Sequence, residues 1–216
     1  MNKKLVLHSE HIQGHTQLDL ALFQLLMKND PRISYISSQT DPNREYFKQT
    51  AKWYKEFGVN DFTYFDFDQE YDENKLDDLL SADAIFLSGG NTFYFLDSLK
   101  QKNFLSKLRD FVFNGGILIG LSAGSIIMSE DISMASGPEG DENTVGLDDL
   151  SSLGLIDFYF YPHFDQTNQS TIKYLKEFSK KNKTIYACTD GSGILIEDEK
   201  LKFIGKIFKF EKGIFE

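Results

Sequence analysis

The sequence predicts an α/β protein with a mostly parallel central sheet and helices on both faces. Three observations carry this. Short apolar runs alternate with amphipathic segments along most of the 216 residues, the pattern of repeated strand–helix units. Several runs end in glycine- or serine-rich turns that lead straight into helical spacing. The length suits one domain, residues 1–216, with no internal repeat, low-complexity segment or linker.

Residues 5–8 read as the first strand. Residues 18–27 carry Leu18, Leu22, Leu25 and Leu26 at helical spacing, a first helix to Met27 that Asn29-Asp30-Pro31 stops. Residues 33–37 form a second strand. Asp41-Pro42 supplies an N-cap followed by proline at the first helical position, opening a helix to about Phe57 that Gly58 ends. Residues 62–67 alternate aromatic and polar side chains as a strand does, and 72–80 form a short acidic helix. Residues 84–87 are a core strand ending in Ser88-Gly89-Gly90-Asn91-Thr92, with helices expected over 93–100 and 104–113. Residues 117–121 are another core strand, and a helix follows it to about Ser129. Residues 136–143 are rich in Gly, Ser and acids. With the stretch to 149 they read as a lid or as plain disorder. Residues 155–161 are an apolar, aromatic strand, 170–180 a helix and 185–188 a strand. Residues 194–197 and 203–210 close the chain as an antiparallel pair.

Composition narrows the partners. The net charge of −10, from 33 acidic and 23 basic residues, argues against a nucleic-acid surface, which needs a basic excess. No apolar run is long enough to span a membrane, and the apolar part of residues 1–8 is short for a signal peptide. The lone cysteine, Cys188, allows no intramolecular disulfide and lies in an apolar strand, so a cytoplasmic protein with a buried, inert thiol is expected. His11 and His15 are four apart, but Gly14 interrupts the helix that would pair them, and no Glu or Cys completes a ligand set. No metal or organic cofactor is expected.

The chemistry centres on Gly120-Leu121-Ser122-Ala123-Gly124, a G-x-S-x-G pattern between a strand and a helix. Such a turn lifts the serine hydroxyl above the sheet edge and aims the first free helix N–H groups at the same point. A serine needs a base. His163, just after residues 155–161, is the histidine outside the N-terminal region. The base needs an acid to hold its tautomer. Asp190, in a glycine-rich turn after another strand, and Asp165, two residues from His163, are the candidates, with Asp190 preferred. The Gly89-Gly90-Asn91 turn offers backbone N–H groups for the second half of an oxyanion hole.

Three motifs, in this order and spacing, resemble the peptidase E and cyanophycinase family of serine peptidases: Ser88-Gly89-Gly90-Asn91-Thr92-Phe93, Gly120-Leu121-Ser122-Ala123-Gly124-Ser125 and Pro162-His163-Phe164. The resemblance covers nearly the whole chain. It implies a fold like that of class I glutamine amidotransferases, with serine in place of their cysteine. It implies Ser122 as nucleophile, His163 as base, and the Gly90 and Ala123 N–H groups as the oxyanion hole. Asp190-Gly191-Ser192 matches the turn where peptidase E carries its triad glutamate, so the acid here is one methylene shorter. Asn91 and Lys173 are the expected substrate-binding residues. Peptidase E has several arginines after its catalytic histidine to grip an aspartate side chain. Residues 167–173 here contain Lys173 and no arginine, and lysine lacks the planar bidentate fork. The expected activity is therefore hydrolysis of small peptides, dipeptidase in type, through an acyl-enzyme, without the basis for Asp-X specificity. The expected assembly is a monomer or homodimer. The same triad would also serve an esterase or amidase on non-peptide substrates, and a binding relative would keep the fold without catalysis.

Overall fold

The computed structural model describes residues 3–26, 28–181 and 183–216. In chain order the elements are β1 (Lys4–His8), α1 (Gln17–Leu26), β2 (Arg32–Ser37), α2 (Glu45–Lys55), β3 (Asp61–Asp66), α3 (Leu76–Leu80), β4 (Ala84–Leu87), α4 (Thr92–Gln101), α5 (Leu105–Phe113), β5 (Ile117–Leu121) and α6 (Ala123–Ile126). Then follow β6 (Tyr159–Tyr161), α7 (Gln169–Lys181), β7 (Ile185–Cys188), β8 (Gly193–Glu197), β9 (Lys200–Ile204), β10 (Ile207–Glu211) and β11 (Ile214–Phe215).

Seven strands make the main sheet in the order β3-β2-β4-β5-β1-β8-β9. Its first five strands are mutually parallel, and β8 and β9 extend it antiparallel. The alternation of a pleated strand decides which face each residue serves. On β1, Leu5 and Leu7 enter one core cluster and Val6 the other. On β4, Ile85 and Leu87 separate from Ala84 and Phe86 in the same way. One cluster is closed by Leu18 and Leu22 of α1 and Tyr54 of α2, the other by Leu96 of α4 and Leu108 and Val112 of α5. The sheet is thus buried between helices, as expected of parallel strands.

A second, four-stranded sheet was not foreseen. It runs β11-β10-β7-β6, with β6 and β7 parallel and the remaining pairs antiparallel. Its own cluster includes Tyr159, Phe164, Leu175 and Phe210, covered by α7. The strand expected over 203–210 divides between the two sheets. Gly205, at φ 84°, turns the chain, and the Lys206 N–H is taken up by Ser192 Oγ at 2.8 Å. Glycine reaches that left-handed conformation without the steric cost of a Cβ.

Other boundaries shift for local reasons. The expected first helix ends at Met27, which lies outside the described residues. The helix expected from Pro42 starts at Glu45, because Arg44 sits at φ 56° outside the helical region. Asp41 still caps it, accepting the Glu45 and Tyr46 N–H groups at 3.0 Å each. The helix expected to reach Ser129 stops at Ile126. The strand expected over 155–161 is regular only from Tyr159. Leu155 and Ile156 are buried, but their N–H groups both go to Met128 O, so this run packs as irregular chain.

Candidate active site

Parallel pairing of β4 with β5 sets Leu87 opposite Gly120, so the turns after both strands emerge side by side. Ser122 follows β5 with φ 49° and ψ −108°, a conformation L-residues rarely occupy. The flanking glycines permit it. A Cβ at Gly120 would lie 2.5 Å from Ser125 N, and one at Gly124 would lie 2.2 Å from Leu87 O. The turn is pinned from β1: Ser122 N–H donates to His8 O at 2.9 Å and Ser125 Oγ donates to the same carbonyl at 3.0 Å.

The second sheet delivers the partners. His163, after β6, places Nε2 at 2.8 Å from Ser122 Oγ. Its Nδ1 lies 2.7 Å from Asp190 Oδ1, just past β7. Asp190 rather than Asp165 therefore meets the imidazole. Asp165 Oδ1 instead accepts from Thr167 N and Oγ1, both at 2.8 Å, and these bonds hold its carboxyl below the usual range. His163 and Asp190 side chains are each close to half exposed, so the row of three opens to solvent.

Gly90 has φ +132°, and a Cβ there would sit 2.1 Å from Ser38 Oγ. Among the described residues no hydrogen bond takes up the Gly90 or Ala123 N–H. A Cβ on neighbouring Gly89 would lie 3.7 Å from Ser122 Cβ, so the two turns adjoin. Asn91 is committed elsewhere: its Oδ1 caps α4 by accepting the Tyr94 N–H at 2.9 Å, and its Nδ2 donates to Glu142 O at 2.9 Å. Lys173 is exposed on α7 and does not line the cleft.

Above Ser122 and His163 lies a cleft of about 880 Å³ running toward α2. Glu10, Asp41 and Asp141 line it, and among the described residues no Lys or Arg does. Asp141 belongs to the acidic stretch 136–149. The stretch is tied down at two points: Asp141 Oδ2 accepts from Thr92 N at 2.8 Å and Thr92 Oγ1 at 2.6 Å, and Tyr161 OH donates to Pro138 O at 3.0 Å.

Sequence reasoning missed Ser9. Its side chain is fully buried, and its oxygen accepts the His163 N–H at 2.8 Å. Its proton is shared between Cys188 O at 3.1 Å and Asp190 Oδ1 at 3.2 Å. Ser9 thus ties His163 and Asp190 to the end of β1. The signal in the sequence was faint, a polar residue directly after a core strand. His11 does not pair with His15, which is exposed in a non-helical stretch. It stacks on Trp53 and lies with His8 and Asp19. Burial pushes the His11 imidazole down to about 4 and His8 well below its usual value, while burial raises Asp19 to about 7.

Comparison with known proteins places these features in a family. The model of peptidase family S51 matches residues 5–204. An uncharacterized peptidase from Listeria monocytogenes serovar 1/2a is 30% identical over 125 residues, 57% of this chain and 60% of that protein. A peptidase from Listeria innocua serovar 6a is 28% identical over 57% of this chain and 59% of its own length. The chain thus spans about 60% of these two relatives. Peptidase E of Nostoc sp. is 25% identical over 194 residues, 83% of this chain and 76% of that protein. A crystal structure of a provisionally assigned peptidase E protein from Listeria monocytogenes EGD-e superposes with a TM-score of 0.76. It covers 94% of this chain and 98% of its own at 22% identity, a likeness of fold.

Proposed function

The chain belongs to peptidase family S51, and from that premise we propose that it is a serine-type peptidase acting on small peptides, dipeptidase in type, through an acyl-enzyme on Ser122. The observation that carries this reading is the continuous row Ser122 Oγ, His163, Asp190, at 2.8 and 2.7 Å. In the resting state Asp190 accepts the Nδ1–H of His163, which leaves Nε2 free to accept the Ser122 proton. Ser122 Oγ attacks the scissile carbonyl as that proton passes to Nε2. The carbonyl oxygen takes the negative charge and is met by the Gly90 and Ala123 N–H groups, which no other described group takes up. His163 returns the proton to the leaving amine, the peptide bond breaks, and the acyl group stays on Ser122. Water then repeats the sequence, with His163 again the base. Asp190 stays ionised throughout and stabilises the imidazolium.

The cleft suits a small peptide in volume. Its lining supports substrates other than Asp-X, since Glu10, Asp41 and Asp141 would repel an aspartate side chain and no lysine or arginine offsets them.

The test is labelling with a fluorescent fluorophosphonate and mapping of the adduct. The expected result is modification at Ser122 that disappears in His163→Ala, with Ser122→Ala folded and at least about 10⁴-fold slower on peptides. A folded protein that does not label overturns the acyl-enzyme reading. Hydrolysis of simple esters, with no dipeptide cleaved across a library, overturns the substrate class alone.

A further inference from the structure

We infer that His8, His11 and Asp19 form a binding site for a divalent transition metal of the zinc class, set behind the nucleophile turn. The three residues come from separate pieces of chain. His8 ends β1, His11 lies in the loop that follows, and Asp19 sits in the first turn of α1. The fold brings one ligand atom from each to within 4.8 Å of the others. His8 Nε2 and His11 Nε2 each lie 3.7 Å from Asp19 Oδ1. That is too long for a hydrogen bond. It is close to the edge of a zinc tetrahedron, which is roughly 3.4 Å at bond lengths of about 2.1 Å.

Burial leaves the cluster short of well-aligned partners. The side chains of His8 and Asp19 are 4% and 1% exposed, and among the described residues His8 Nε2 and Asp19 Oδ1 make no hydrogen bond of good geometry, although the Trp53 and Tyr54 side chains act on the Asp19 carboxyl. A buried polar atom without a partner is costly, and here two face each other. A cation between them would satisfy both at once. Two imidazole nitrogens and one carboxylate oxygen are a zinc-type donor set, with a fourth position left for water or for the Tyr54 hydroxyl, 3.5 Å from His11 Nε2. Entry is available through His11, which lines the cleft.

The consequence lies in the turn next door. His8 O holds both the Ser122 N–H and the Ser125 hydroxyl, so a metal on the His8 ring braces the residue that anchors the nucleophile. The site is distinct from the Ser122–His163–Asp190 row and takes no part in the proposed hydrolysis.

The decisive measurement is Zn²⁺ titration of the whole, chelator-treated protein against a chromophoric competitor, with zinc-edge anomalous diffraction to locate the ion. One equivalent should bind with a dissociation constant below about 1 μM, and the melting temperature should rise with Zn²⁺. His11→Ala and the near-isosteric Asp19→Asn should each weaken binding by more than about 100-fold, beyond the loss expected from an outer-shell partner. His15→Ala should bind as the parent does. His8→Ala risks the core packing, so His11→Ala and Asp19→Asn carry the test. Absence of a tight equivalent, an anomalous peak at His163 alone, or unchanged affinity in folded His11→Ala and Asp19→Asn would overturn the site. In that case the cluster is a buried set of neutral groups.

Discussion

At the scale of single residues, the site depends on side chains held where they would not settle unaided. Ser122 and His163 both have positive φ, at 49° and 54°. Such conformations cost of order 1–3 kcal/mol each and persist only when neighbours enforce them. For His163 the enforcing neighbour is Ser9, whose oxygen receives its backbone N–H. Ser9→Ala should therefore lower stability by about 1–3 kcal/mol, the cost of a buried donor left unpaired. It should also lower kcat of the proposed hydrolysis by about 10- to 100-fold through displacement of His163, with KM nearly unchanged. Steady-state kinetics at a temperature where the variant is fully folded separates the two effects. A folded variant with parental kcat would make Ser9 a packing residue only. Ser122, His163 and Asp190 were legible because each stands at a strand end with its own chemistry. Ser9 was not, because one serine after an apolar run carries no pattern and its three partners are more than 150 residues away.

At the scale of elements, what could be read followed from periodicity, and what could not depended on partners. The β5–α6 turn was readable because only glycine tolerates Leu87 O at 2.2 Å from a Cβ at position 124. The irregular run before β6 was not, because an apolar stretch is buried equally well as strand or as coil. Residues 136–149 illustrate the same limit. Their acids and glycines read as loose chain, yet Asp141 has a partner in Thr92 at the start of α4, where the helix end favours a negative charge. Asp141→Ala should cost about 1–2 kcal/mol, like the loss of a helix cap, and should speed amide exchange at Glu142 and Asn143. Hydrogen exchange read by mass spectrometry follows both segments. Unchanged exchange there would mean that the Tyr161–Pro138 bond, not Asp141, holds the stretch.

At the scale of the whole molecule, the row of three crosses between two sheets. Ser122 comes from the main sheet, and His163 and Asp190 come from the second. The main sheet was legible from its βα alternation. The second was not, because β6 pairs with β7 across α7, and β7 pairs with β10 across β8 and β9, so its register leaves no local trace. Cys188 marks the seam. It lies on β7 of the second sheet, is fully buried, and packs in the cluster of the main sheet. Burial also pushes its thiol pKa up, so the native state denies a reagent both access and thiolate. Alkylation by iodoacetamide should therefore proceed only through opening of the seam. In a urea series, loss of the proposed peptidase activity and gain of Cys188 labelling should share one midpoint, since separating the sheets exposes the thiol and parts His163 from Ser122 together. Activity lost at lower urea than labelling would show instead that the turns bearing His163 and Asp190 loosen first, while the sheets stay docked. The half-exposed row would then be the weakest part of the fold, and Ser9→Ala should widen the gap between the two midpoints.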